Sequence, residues 1–293
     1  MHLKTLVVMG AVAALWVAGA AQADVPMNLM SYPSAAITVD GNASDWNLAQ
    51  FGTVVPGGVA GTGDVALVGW NDAGTSLHYG GMYTGGVLPT NKADHQAKVY
   101  ARDNATTQYF LVSITDDDVN ANEPTNNWAN DCVEFYVDPQ DNGNPTDWNS
   151  DIQLVIDAGN RAKVWMSPAG YAAQIQAGVQ SAVTATATGW LLEVGIAKSV
   201  FNPGLPQLLG PANDPQGHNY GLELNFRDND DPSGQDPLGG DPAYSTVYDW
   251  ADPYTGGGFP SKAAGSWGDV VVPEPATLAF LLLGSVFVLR RRR

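Results

Sequence analysis

Asn127-Trp128-Ala129-Asn130-Asp131-Cys132-Val133-Glu134-Phe135-Tyr136-Val137-Asp138 is the stretch that decides the fold. From Cys132 to Val137 the side chains alternate. Val133, Phe135 and Val137 fall on one side, and Cys132, Glu134 and Tyr136 on the other. A period of two is the mark of a strand with one face in a core and the other turned away from it.

The same pattern recurs outward from this segment. Lys98 to Ala101 and Gln108 to Thr115 read as two strands around a turn at Asp103-Asn104. Asp151 to Asp157, Arg161 to Met166, Gly189 to Ile196 and Tyr220 to Arg227 continue the series, and Trp267 to Val272 closes it. In Tyr220 to Arg227, Leu222, Leu224 and Phe226 oppose Glu223, Asn225 and Arg227. Ala36 to Val39, before the turn Asp40-Gly41-Asn42, reads as the opening strand. No helix of ten or more residues is predicted between 24 and 272; Ala197 to Phe201 reads as a single helical turn. Many short strands punctuated by Gly, Pro and Asn predict an all-β fold, an antiparallel β-sandwich. The Gly-rich stretch Pro56 to Gly86 reads as part of an insertion near 55–96. Asn202 to Asn219 and Asp228 to Ala243 read as loops, the places where a rigid sandwich carries its binding groups.

Charge narrows the partners. Without Lys4, Glu274 and Arg290 to Arg293, the stretch 24–272 keeps 8 basic and 29 acidic residues, a net charge of −21. Such a surface repels phosphate backbones, which excludes nucleic acid. The one cysteine, Cys132, excludes an internal disulfide framework.

Both ends read as addresses. Lys4, the apolar run Leu6 to Ala20 and the cleavage site Ala21-Gln22-Ala23 make residues 1–23 a secretory signal peptide. Ala276 to Leu289 is 14 residues without a charge, followed by four arginines. As a helix it spans ~21 Å, and flanking apolar residues with snorkelling arginines extend it toward the ~30 Å hydrocarbon core. Val272-Pro273-Glu274-Pro275, this apolar segment and the basic tail together resemble a PEP-CTERM sorting signal over residues 273–293. The resemblance implies an exosortase that removes the tail at the inner membrane, and export to the cell surface or exopolysaccharide matrix. A plain C-terminal membrane anchor is the alternative reading.

The opening stretch also resembles the W-x-x-D-x-V-E-x-x-x-D segment of family 9 carbohydrate-binding modules, β-sandwiches related to the DOMON group. Ile37 to Gly41 with Asp45-Trp46, Gly189 to Ile196, Gly221 to Asp228, Asp249 to Pro253 and Trp267 to Val270 are similar, in order, to other segments of that family. The resemblance implies non-catalytic binding of polysaccharide. It gives Trp128 the role of a sugar-stacking ring and Glu134 that of a carboxylate on sugar hydroxyls. From the residues alone, Trp128 also fits a lid over the sandwich rim, and Glu134 a structural hydrogen bonder or calcium ligand. The sequence departs from the family pattern twice. Phe259 is displaced from the second stacking tryptophan, and Val155 lies where a sugar-contacting arginine is expected.

Calcium is the expected ion. Its six to eight oxygen ligands come from carboxylates, carbonyls and amides. Asp116, Asp118, Asp138, Asp228 and Asp230 are the candidate ligands, in three acidic clusters. The resemblance implies structural calcium as well. Catalytic constellations are missing: Asp131 and Glu134 point to opposite faces of a strand, and His2, His78, His95 and His218 have no metal spacing. Two other classes remain. One is a structural matrix protein without a sugar site. The other is a haem-binding DOMON-type domain using Met82 or Met166 with His78, His95 or His218.

Overall fold

Alternation in the quoted stretch becomes a strand at the middle of a sheet. The structure, a computed structural model, describes residues 27–35, 37–79, 81–82, 88–138, 151–200, 220–230, 245–251 and 268–271. Its strands are β1 (Met27–Pro33), β2 (Val54–Pro56), β3 (Gly61–Gly63), β4 (Val65–Trp70), β5 (Leu77–His78), β6 (Gly81–Met82), β7 (His95–Asp103) and β8 (Thr107–Asp116). They continue as β9 (Cys132–Asp138), β10 (Ile152–Asp157), β11 (Ala162–Met166), β12 (Val179–Thr186), β13 (Gly189–Ala197), β14 (Tyr220–Asn229), β15 (Ser245–Asp249) and β16 (Gly268–Val271). One short helix, α1 (Ala172–Ala177), joins β11 to β12.

Two sheets stack face to face. The first runs β11-β10-β9-β14-β16-β1 and the second β1-β7-β8-β13-β12. Strand β1 belongs to both: Asn28 to Met30 pair with β16, and Ser31 to Pro33 pair with β7. All three of its pairings, including that with β3, are parallel. So is β2 with β4. The long ladders that make the sandwich are antiparallel, as expected: β9 with β10 and β14, and β8 with β7 and β13.

The inward faces form one core. Val133, Phe135 and Val137 of β9 join Leu222, Leu224 and Phe226 of β14 on one side. Phe110, Val112, Trp190, Leu192 and Val194 answer them from the second sheet. Phe110 and Phe135 meet with ring centroids 5.2 Å apart. Each such buried side chain contributes about 1.5–3 kcal/mol.

Ile37 to Val39 form no strand, which corrects the expected opening strand over Ala36–Val39; Ala36 itself lies outside the described residues. The physical reason lies in the donors. Thr38 N–H bonds to Asp45 Oδ2 (2.9 Å), and the N–H groups of Asp40, Gly41 and Asn42 bond to Glu193 Oε2 (2.9, 2.6 and 3.1 Å), so no ladder partner is needed. This segment covers the outer face of the second sheet, where Ile37 and Trp46 pack on Tyr109 and Leu111. The opening strand is Met27–Pro33 instead. The stretch 55–96, expected as an insertion, supplies β4, which pairs with β7 from Val65 to Gly69 inside the second sheet.

Among the described residues, no helix is long and apolar enough to cross a membrane. The signal peptide, the sorting motif Pro273, Glu274 and Pro275, and the C-terminal apolar segment lie outside the described residues.

Candidate functional site

The outer face of the first sheet is polar. Register places Asp157, Cys132 and Arg227 in one row across β10, β9 and β14. The next row is Val155, Glu134 and Asn225, and the next is Gln153, Tyr136 and Glu223. Glu134 is buried, and its Oε2 accepts from Tyr136 Oη (2.7 Å) and Gln153 Nε2 (2.9 Å). Gln153 Nε2 also donates to Tyr136 Oη (2.9 Å), closing a triangle. Asn225, 1 % exposed, has an Oδ1 with no hydrogen-bond partner among the described residues. An acceptor left so costs about 1–3 kcal/mol unless something donates to it.

Two tryptophans stand beside this row. Trp128 sits in a three-residue 3₁₀ turn, Asn127–Ala129, held from both sides. Asn127 Nδ2 donates to the carbonyls of Val155 (2.9 Å) and Arg161 (2.8 Å), while Asn229 Nδ2 donates to the Ala129 carbonyl (2.6 Å). Trp165 of β11 donates its indole N–H to Asn127 Oδ1 (2.9 Å). The two rings are half-buried and meet edge to face, with centroids 6.3 Å apart. A cation lies over each: the Lys163 ammonium 3.5 Å from the Trp165 ring, and the Arg227 guanidinium 5.3 Å from the Trp128 ring. The Cys132 thiol is fully buried nearby and its pKa is pushed well above the usual range, first by burial and then by the Glu134 charge. It is a packed side chain.

A second cluster occupies one end of the sandwich. Asp116 ends β8, Asp131 precedes β9, Asp228 lies near the end of β14, and Asp230 follows that strand. Their carboxylate oxygens, with Asp94 and Asp117, form three overlapping triads in each of which the oxygens lie within 4.8 Å of one another. Burial pushes the carboxyl of Asp116 up to about 6 and that of Asp230 up to about 7, with neighbouring carboxylates adding to the rise. Burial pushes Asp131 and Asp228 well above the usual range too. Asp131 takes backbone N–H groups from Asn120 and Asn229. Asp228 Oδ1 and Asp230 Oδ1 are buried and have no hydrogen-bond partner among the described residues. Converging hard oxygens, two of them orphaned, fit a divalent cation of the calcium type.

Sequence reasoning chose five aspartates, and three of them, Asp116, Asp228 and Asp230, come together here. Asp118 stays outside the triads; it is exposed, and its N–H donates to Asp116 Oδ1 (2.9 Å). Asp138 lies apart from this end of the sandwich: it ends β9, seven residues and roughly 23 Å of extended chain from Asp131, and the rest of its acidic cluster lies outside the described residues. Asp94 and Asp131 were not among the chosen residues, while Asp117 lies within the first of the three acidic clusters. Trp128 and Glu134 lie on the same face, while Phe259 lies outside the described residues. Trp165, Lys163, Gln153 and Arg227 were not singled out. For Arg227 the signal was present in the alternation of Glu223, Asn225 and Arg227. Of the haem pairings, His95 with Met166 is ruled out by position. His95 packs by Phe226 in the interior, while Met166 packs on Tyr136 at the outer face.

The fold and this face define a class: a β-sandwich that carries aromatic rings and a hydrogen-bonding row on one sheet. The chain belongs to the carbohydrate family 9 binding domain-like family, whose model matches residues 62–259. That is a family of binding modules, not catalysts. A family 9 carbohydrate-binding module from Caldicellulosiruptor kristjanssonii has a similar fold in two solved structures, each with a TM-score of 0.53. In complex with cellotriose it is 12% identical, covering 84% of this chain and 93% of its own. In complex with glucose it is 13% identical, covering 84% and 95%. A Bacteroides uniformis protein is similar at a TM-score of 0.51 and 12% identity, covering 85% of this chain and all of its own. No curated protein matches the chain.

Proposed function

We propose that the outer face of the first sheet binds polysaccharide without chemical change, in a protein exported from the cell. One observation carries the reading: two anchored tryptophans, 6.3 Å apart, stand beside a buried hydrogen-bonding row in which Asn225 Oδ1 has no partner among the described residues. A pyranose presents C–H groups to an aromatic face and hydroxyls to acceptors at its edge, and this face offers both. Family membership supports the reading, as do the cellotriose and glucose held by the similar module. The fixed Trp128 turn lowers the ordering cost of binding.

Calcium is proposed as a structural ion, held by Asp116, Asp131, Asp228 and Asp230. Its charge would offset the repulsion among these carboxylates and fix the start of β9 next to the Trp128 turn. The sorting signal at 273–293 is the basis for proposing exosortase processing and a destination at the cell surface or matrix.

Affinity electrophoresis of the full chain in gels cast with soluble glucans, xylans and uronic-acid polymers tests this. The reading expects retardation by at least one polymer, lost in Trp128→Ala. Unretarded migration in every gel would overturn it and favour a purely structural matrix protein.

A further inference from the structure

The second sheet ends on β12, whose one pairing among the described residues is with β13. That register runs unbroken from Val179 opposite Ile196 to Thr186 opposite Gly189. The N–H of Ala197 bonds to the Gly178 carbonyl (2.9 Å), which sets the phase of the ladder. Opposite residues in an antiparallel ladder alternate between bonded and non-bonded pairs. Gln180, Ala182, Thr184 and Thr186 therefore turn their backbone groups to β13, while Val179, Ser181, Val183 and Ala185 turn theirs outward. No hydrogen bond among the described residues engages those outward N–H and C=O groups, and Thr184 to Thr188 are exposed.

Edge strands are normally blunted by charge, proline, a bulge or a covering element. At the edge of the first sheet, β11 has Lys163, a bulge and the Gln176 contacts of α1. Strand β12 has no charge, no proline and no bulge. It lies within residues 164–192, the longest stretch of the chain without Asp, Glu, Lys or Arg.

We propose that β12 pairs edge to edge with β12 of a second copy of this chain, antiparallel about a twofold axis. Charge favours this strand. At a net charge of −21 over residues 24–272, two copies repel each other across most of their surfaces, and the uncharged stretch is where they approach at least cost. Charge also sets the direction. The Asp116 N–H bonds to the Thr188 carbonyl (2.9 Å), so the hairpin that follows β12 lies beside the acidic end of the sandwich. Antiparallel pairing sets that end of one copy against the Gly178 end of the other and keeps the two acidic ends apart. Parallel pairing would bring them together. The outward groups of Val179, Ser181, Val183 and Ala185 then complete a ladder that each copy offers and accepts equally. Small and β-branched side chains suit such a cross-strand contact. A twofold axis perpendicular to the sheet keeps corresponding faces on one side, so the outer faces of both first sheets look the same way. Where those faces bind polysaccharide, which rests on the reading above, the pair grips one polymer at two points.

Sedimentation velocity of the full chain across a wide range of concentration, at low and at high salt, tests the pairing. A monomer–dimer equilibrium is expected that tightens with salt, because screening relieves the repulsion between acidic copies. Ala185→Pro removes an outward N–H and leaves the β13 ladder whole. Ala185→Lys puts a charge on the edge. Symmetry counts each change twice, so each variant is expected to weaken dimerisation about tenfold, with the melting temperature little changed. A monomer at every concentration and salt, or a dimer that either variant leaves at full strength, overturns the pairing. A dimer weakened by both variants, in a chain that no polysaccharide gel retards, keeps the pairing and overturns the carbohydrate reading alone.

Discussion

Glu193 is fully buried, yet four donors converge on it. Its Oε2 receives the N–H groups of Asp40, Gly41 and Asn42, and its Oε1 receives the Trp46 indole N–H at 2.6 Å. Gly41 has φ +79°, and a Cβ there would meet Thr184 Oγ1 at 2.3 Å, so only glycine closes the turn. A glutamine at 193 would remove the charge and point an amide donor at other donors. Glu193→Gln is therefore expected to cost roughly 3 kcal/mol, read as a lower denaturant midpoint at unchanged slope. A change below about 1 kcal/mol would contradict this account of the turn. The residue was legible as part of the Gly189 to Ile196 strand. Its partners were not, because they lie about 150 positions earlier in the chain.

At the scale of elements, legibility followed the strength of alternation. Strands β9 and β14 put large apolar groups at every second position, and each was readable with its faces assigned. Strand β12 was not readable. Its inward positions run Val179, Ser181, Val183 and Ala185, so small residues interrupt the apolar stripe. Strand β1 escaped for a different reason: its buried face runs Met27, Leu29 and Ser31, so the apolar stripe is only two residues long before a serine. The site divides the same way. Trp128 and Glu134 lie within one stretch of chain and carry a family-like pattern. Trp165 joins them through a bulge: Gln153 pairs with Met166 and Leu154 with Val164, leaving Trp165 as the extra residue. A bulge re-aims a side chain and has no period in the sequence. The edge of β11 carries its own protection, since Gln176 of α1 accepts from Val164 N–H (3.0 Å) and donates to the Ala162 carbonyl (3.1 Å). That contact blunts an otherwise open strand next to the tryptophans.

Across the whole molecule, the acidic end sets the response to pH and cations. Asp116 and Asp230 ionise near 3.8 when unfolded, but their folded values rise to about 6 and about 7. Between these limits the folded state holds more protons, so stability without a cation falls as pH rises. His95 opposes this. Burial lowers it from 6.5 to about 4, and the stability it contributes is lost as pH falls through that window. The carboxylates outnumber it, since Asp131 and Asp228 are raised as well. The chelated protein is thus expected to melt at a lower temperature at pH 7.5 than at pH 5. Calcium is expected to raise the melting temperature most at pH 7.5, by about 2.7 kcal/mol of stability at a hundredfold excess over its dissociation constant. Scanning calorimetry with calcium and with chelator checks both, and a calcium-independent melt at pH 7.5 would remove the ion from the account. The central claim, that the outer face of the first sheet is where sugar docks, is tested most directly by Trp165→Ala. The residue is half-buried on that face and remote from the acidic end in sequence. Titration calorimetry with whichever polysaccharide retards the wild-type chain is predicted to show affinity lowered at least tenfold, beside a loss of stability of about 1–3 kcal/mol because the buried Asn127 Oδ1 loses its donor. Wild-type affinity in that variant would contradict the placement of the site.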